Sequence, residues 1–235
     1  MSLKSSARAF IKKPTPAKAG IGKPDFSFEN QHTGFVCGLD EVGRGPLAGP
    51  VVAACVIIPM EKRTLPFVSD LRDSKKIAKP KLEALHDYIR EHFLCSVAEV
   101  SVEDIDRINI LQASMLAMTQ AFDVLSTHGV RHALVDGNRC PKLACKSTAI
   151  VGGDNRSVSI AAASILAKVH RDRLMKTLAE EYPHYGWESN AGYGAPVHLA
   201  GIEKHGITPH HRKSFAPVRN FIAFGDVRGS LREAS

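Results

Sequence analysis

Phe35-Val36-Cys37-Gly38-Leu39-Asp40-Glu41-Val42-Gly43-Arg44-Gly45-Pro46-Leu47-Ala48-Gly49-Pro50-Val51 is the stretch from which the rest of the chain can be read. Its first half is apolar and ends on two adjacent acids. Its second half is dense in glycine and proline and leads into the apolar, β-branched run Val51 to Ile58. Two such runs joined by a Gly/Pro turn predict a hairpin-like pair of strands. Neighbouring strand residues point to opposite faces, so Asp40 and Glu41 are expected to converge only if the second lies where the strand has ended or bulged, a deviation the adjoining glycines would supply. The same turn excludes a dinucleotide site. Gly43, Gly45 and Gly49 miss the G-x-G-x-x-G spacing, and no G-K-S/T ending occurs. Pro46 and Pro50 lead into a β-rich run instead of the helix whose N-terminus would hold a pyrophosphate.

Working outward, Pro80 to His92 has helical spacing at Leu82, Leu85, Tyr88 and Ile89, and Phe93 to Val100 reads as a strand. A helix is predicted from about Ile108 to Leu125, with Leu111, Met115, Met118 and Phe122 at three- and four-residue steps. Ala133 to Asp136 is a short strand stopped by Gly137-Asn138, and Thr148 to Val151 is another stopped by Gly152-Gly153. Val158 to Glu181 is the clearest helix, and short helices and loops follow. Strands first paired and then alternating with helices predict an α/β fold, a mixed sheet flanked by helices.

Asp136, like Asp40, closes an apolar run at a turn. Acids at strand ends give hard oxygen ligands on a rigid sheet with positions left open for water and phosphate, as Mg²⁺ or Mn²⁺ requires. Asp154 is also open to a capping role before the long helix, where Ser157 is the better N-cap candidate. Asp172 lies four residues from both Lys168 and Lys176, which a solvated ion-pair ladder explains.

The 235 residues are 44% hydrophobic and 23% charged, the balance of a soluble globular protein. The longest mainly apolar run, Leu47 to Met60, is broken by Pro50 and Pro59 and is shorter than the ~18 residues of a membrane span. A net charge of +7 suits a polyanionic partner. Five scattered cysteines without a C-x-x-C pair suggest neither a disulfide framework nor structural zinc, and fit a reducing cytoplasm. Residues 1–33 open with six Lys or Arg before the first acid and read as a flexible basic tail; 34–225 is expected to form the folded domain, its helical C-terminal region at about 182–225, with a flexible end at 226–235. His205, His210 and His211 fit no closed zinc site and are expected in a backbone- or phosphate-contacting loop.

The string from Asp40 to Val51 resembles the opening motif of the bacterial ribonuclease HII family. Asp73-Ser74-Lys75-Lys76, Ile108 to Ser114, Val135-Asp136-Gly137-Asn138, Ala161 to Arg173, Gly192-Tyr193-Gly194 and His211-Arg212-Lys213-Ser214-Phe215 resemble it too, in the family's order, so the likeness spans about 34–220. The related ribonuclease HIII proteins usually carry lysine where Arg44 stands. This chain departs from the family at Gly152, where lysine is usual.

The resemblance implies a ribonuclease H-like core with a small helical C-terminal region. It implies that Asp40, Glu41, Asp136 and Asp154 are catalytic and hold two Mn²⁺ or Mg²⁺ ions. It implies that Gly43-Arg44-Gly45 reads the 2′-hydroxyl of a ribonucleotide, and that Tyr193 packs on the sugar of the DNA side. Lys75 and Lys76, with Lys168, Arg171, Arg173, Arg212 and Lys213, are candidate phosphate contacts. The partners implied are RNA–DNA hybrids and duplex DNA containing ribonucleotides, cut to leave 5′-phosphate and 3′-hydroxyl ends. Two rival readings are a non-catalytic nucleic-acid-binding protein and another metal nuclease of the same fold.

Overall fold

The structure is a computed structural model and describes residues 23–229. Five strands, β1 (Phe35–Val42), β2 (Val51–Ile57), β3 (Leu94–Val100), β4 (Val130–Asp136) and β5 (Lys146–Ile150), form one sheet in the order β3-β2-β1-β4-β5. The first two pair antiparallel, as a hairpin requires, and β3 extends that antiparallel half. Parallel pairing joins β1 to β4 and β4 to β5, so the sheet is mixed. Strands β4 and β5 begin earlier than their apolar runs because Arg131 and Lys146 lie exposed at their starts. An apolar-run criterion does not see such residues.

The strand alternation divides the core. Val52, Ala54 and Val56 of β2 pack against α1 (Lys79–His92) and the first half of α3 (Val158–Glu181). Cys37, Leu39, Ala53, Cys55 and Ile57 face the other way, onto α2 (Val102–Ser126). Gly38 is the point of closest approach between β1 and α3. A Cβ there would lie 2.2 Å from the Ser159 carbonyl carbon and 2.3 Å from the Ile160 nitrogen. Ser157 caps α3 as expected, accepting from Ile160 N–H.

Helix α2 is longer than the hydrophobic spacing suggested and is two helices in one. Ser101 caps a first segment, and Asn109 breaks the run at φ 67° and ψ 162°. The Asn109 side chain then accepts from Leu111 and Gln112 N–H and restarts the helix. Beyond α3, short helices α4 (Trp187–Asn190), α5 (Pro196–His205) and α6 (Ala216–Phe224) gather around the fully buried Trp187. Met175 and Ala179 of α3 share that cluster, which ties the C-terminal region to the sheet.

The expected boundaries at 33 and 226 need correction. Phe28 packs against Val36, Leu134, Ile150 and Ile160, and His32 stacks on His132 with ring centroids 3.6 Å apart. Val227 is buried in the C-terminal cluster. Isolated aromatic or apolar residues without periodicity gave the sequence reading no signal here. The remainder of the expected tails, 1–22 and 230–235, lies outside the described residues.

Candidate active site

The parallel ladder of β1 with β4 ends at Leu39↔Val135, whereas β1 continues beside β2 through Asp40, Glu41 and Val42. The expectation of a bulge or strand end at Glu41 is therefore wrong. Register with β2 is regular, and the opening comes from the neighbour, because β4 stops at Asp136. Both faces of β1 border that gap, so Asp40 and Glu41 reach one cleft of about 440 Å³ from opposite sides. Asp136 enters from the end of β4, and Asp154 from the 3-10 turn Gly153–Asn155 that precedes α3.

Electrostatics record the crowding. Asp40 is 6% exposed, and its carboxyl is held well above the usual range by burial first, then by the charges of Asp136 and Glu41. Burial also raises Glu41, against the pull of Arg44, whose Nη1 lies 3.2 Å from Glu41 Oε1. Asp154 is raised by burial and by Asp73 and Asp136, and lowered by Asn155 and Lys75. Hydrogen bonds fix part of the set: Gly153 N–H donates to Asp136 Oδ1 at 2.7 Å, and Asn155 Nδ2 donates to Asp154 Oδ1 at 2.8 Å. Ser74 and Ser164, 3.1 Å apart through their hydroxyls, line the floor. Four mutually repelling carboxylates around one space are a donor set that fits hard divalent cations. Among the described residues no three acid, histidine or cysteine side chains stand at ion-holding distance.

The turn after β1 is held from beneath by two buried arginines. Arg212 donates to the carbonyls of Gly43, Arg44 and Gly49, and Arg171 to those of Ala48, Pro50 and Ala191. Both are at most 1% exposed, which corrects their expected place among phosphate contacts. Burial lowers Arg171 to about 10 and Arg212 to about 9, so both stay charged at neutral pH. Gly43 lies at φ 92°, and a Cβ there would meet Arg171 Nε at 2.3 Å. Only glycine fits between this guanidinium and the turn.

Tyr193 lines the cleft beside the turn, half exposed, and its Cε1 would be 3.2 Å from a Cβ on Gly45. Its backbone carbonyl is the end of a buried chain. Thr208 N–H donates to His211 Nδ1, and His211 Nε2 meets His198 Nε2 at 3.1 Å. Trp187 Nε1 also donates to that His198 nitrogen, and His198 Nδ1 donates to Tyr193 O. This pattern needs both rings neutral. Burial, then the neighbouring His198, pushes His211 down to about 3. His211 thus lies in a backbone-contacting loop, as expected, but its side chain is fully buried and meets no phosphate.

A ribonuclease HII family profile matches residues 37–218. The chain belongs to the ribonuclease HII family. It is 52% identical over 201 residues to ribonuclease HII of Paramagnetospirillum magneticum, covering 86% of this chain and all of that one. It is 51% identical to that of Burkholderia pseudomallei strain 668, over 94% of this chain and all of the relative. Among solved structures, ribonuclease H2 from Pyrococcus horikoshii OT3 superposes with a TM-score of 0.67 at 23% identity, covering 86% of this chain and all of that chain. Bst ribonuclease HIII, solved with Mn²⁺, superposes at 0.63 and 17%, covering 80% and 69%. As a ribonuclease HII the chain is an endoribonuclease of the ribonuclease H type, from a divalent-metal-dependent family that acts on RNA–DNA hybrids. No described helix is long and apolar enough to cross a membrane.

The cleft of this ribonuclease HII chain brings together Asp40, Glu41, Asp136, Asp154, Gly43, Arg44, Gly45, Lys75 and Tyr193. Lys76 is not brought in, because its Nζ bonds Asn155 Oδ1 at 2.6 Å and lies 3.5 Å from Asp73. Lys168 lines the cleft while paired to Asp172 at 2.6 Å, so the ion pair expected for Asp172 forms on one of its two sides. Sequence reasoning missed Ser164 and the supporting part of Arg171 and Arg212. The nearly all-apolar run Val158 to Leu166 was the available signal for Ser164, since it leaves no solvent face for a serine.

Proposed function

We propose that this cleft hydrolyses the phosphodiester 5′ to a ribonucleotide, in RNA–DNA hybrids and at ribonucleotides embedded in duplex DNA. One observation carries the reading: four carboxylates share a single cleft with a glycine turn and, beside that turn, a half-exposed tyrosine. Asp40, Glu41, Asp136 and Asp154 would hold two Mg²⁺ or Mn²⁺ ions, which supply an activated water and neutralise charge on the phosphate. Gly43-Arg44-Gly45, pinned by Arg212, offers a backbone that a ribose can approach closely enough to report its 2′-hydroxyl. Tyr193 packs on the sugar that follows, and Lys75 and Lys168 face the strand's phosphates. Water oxygen bonds to phosphorus as the bond to the 3′-oxygen breaks, and that oxygen takes a proton. The products are a 5′-phosphate and a 3′-hydroxyl. Such an enzyme removes misincorporated ribonucleotides, work that belongs in the cytoplasm of a bacterial cell.

The test is to map cleavage of a DNA duplex with one embedded ribonucleotide, alongside an all-DNA duplex and an RNA–DNA hybrid. A single cut 5′ to the ribonucleotide, lost with chelator and absent from all-DNA duplex, is the expected result. Cutting of the all-DNA duplex, or binding without turnover, overturns the reading.

A further inference from the structure

Glu29 precedes the region that matches the family, yet it is 1% exposed. Its Oε1 accepts from Ser157 Oγ at 2.7 Å and from Ser159 N–H at 2.9 Å, while Oε2 is enclosed with no hydrogen-bond partner among the described residues. Both donors sit at the start of α3, where free N–H groups and the helix dipole favour an anion. The bonds continue toward the cleft. Ser157 N–H donates to Gly153 O at 2.8 Å, and Gly153 N–H donates to Asp136 Oδ1. Asp154 follows Gly153 on the same 3-10 turn. Asp25 bridges to Ser157, and Arg156 lies over the Phe28 ring at 4.9 Å, so the segment is strapped across the start of α3. Ser157 caps α3 through Ile160 N–H, and Glu29 takes up the separate Ser159 N–H together with the Ser157 hydroxyl, so this carboxylate holds the same turn from outside the helix.

We propose that Glu29 is a positioning residue that sets Asp136 and Asp154 through Ser157 and Gly153, so that a segment ahead of the family core completes the cleft. The proposal rests on the reading of the four acids as metal ligands. Full-length wild type, Glu29→Ala and Glu29→Gln are compared by calorimetric Mn²⁺ binding without substrate, by kcat and KM on the single-ribonucleotide duplex, and by melting temperature. Glu29→Ala is expected to bind Mn²⁺ about tenfold or more weakly, the usual effect of removing a group that orients a ligand. Its kcat falls with KM for the duplex unchanged. Glu29→Gln restores both, because its amide oxygen accepts the same two bonds. A Glu29→Ala protein that melts lower but keeps wild-type Mn²⁺ affinity and kcat overturns the proposal, as does a Gln variant no better than Ala. If Glu29→Ala does not fold, Ser157→Ala cuts the same path, and undiminished Mn²⁺ binding there overturns it equally. Wild type that binds no Mn²⁺ instead removes the metal reading itself.

Discussion

Asp40 is where the cost of the cleft concentrates: its ionised form is opposed by burial and by three neighbouring acids. Asparagine at this position relieves the repulsion and removes a ligand at once. Asp40→Asn is therefore expected to melt higher than wild type without metal, yet to lose about 100- to 1000-fold or more in kcat, with hybrid binding retained. Asp136→Asn should lose turnover to the same degree. Wild-type-like rates in Mg²⁺ from either variant remove these acids from the chemistry. Tyr193 makes the second case. Its ring is held by its backbone and is half exposed, so Tyr193→Ala should lose roughly 1–3 kcal/mol of transition-state stabilisation on a single-ribonucleotide duplex if base stacking is a fair guide. Tyr193→Phe keeps most of that rate where packing dominates. An alanine variant that discriminates junctions as wild type does would leave Tyr193 with no part in recognition.

Between elements, the decisive contact is that of β1 with α3, because it places Asp40 of the strand against Ser164 of the helix. A methyl group on Gly38 would have to displace backbone, which cannot rotate away. Gly38→Ala should cost about 3 kcal/mol or more, read as a lower urea midpoint, and should depress activity even where the protein remains folded. An unchanged midpoint would show that the helix can retreat freely. The His198–His211 pair governs the C-terminal region differently. The folded value for His211 is about 3 against 6.5 ordinarily, so below pH 6.5 the unfolded chain takes up a proton that the folded chain refuses. Stability is complete above 6.5 and falls as pH drops toward 3, by up to about 1.4 kcal/mol per pH unit from this group. His211→Gln should be less stable at pH 7 but lose about 2 kcal/mol less between pH 6.5 and 5. Parallel acid limbs in urea titrations would rule out His211 as the source.

Over the whole molecule, the net charge of +7 acts through the few cations that face the cleft. Neutralising about three phosphates predicts a KM for the hybrid that rises roughly 40-fold from 50 to 200 mM salt. Lys75→Ala should lower that salt slope by about one, whereas Lys76→Ala should leave it unchanged, since Lys76 is engaged by Asp73 and Asn155. Equal effects of the two would mean that neither is selectively placed. The strands, the long helix after Ser157 and the acids at Asp40, Glu41 and Asp136 were legible in the sequence, because periodicity, caps and turns are local and leave a local mark. Which Lys or Arg meets solvent was not legible. Arg171 and Arg212 resemble surface charges in one dimension and become buried clamps only when distant carbonyls converge on them. The convergence of Asp40 with Glu41 was likewise decided by where β4 ends, and the seating of Glu29 by the start of α3, 128 residues away. Local chemistry is written residue by residue, but burial and convergence belong to pairs of segments that only the folded chain brings together.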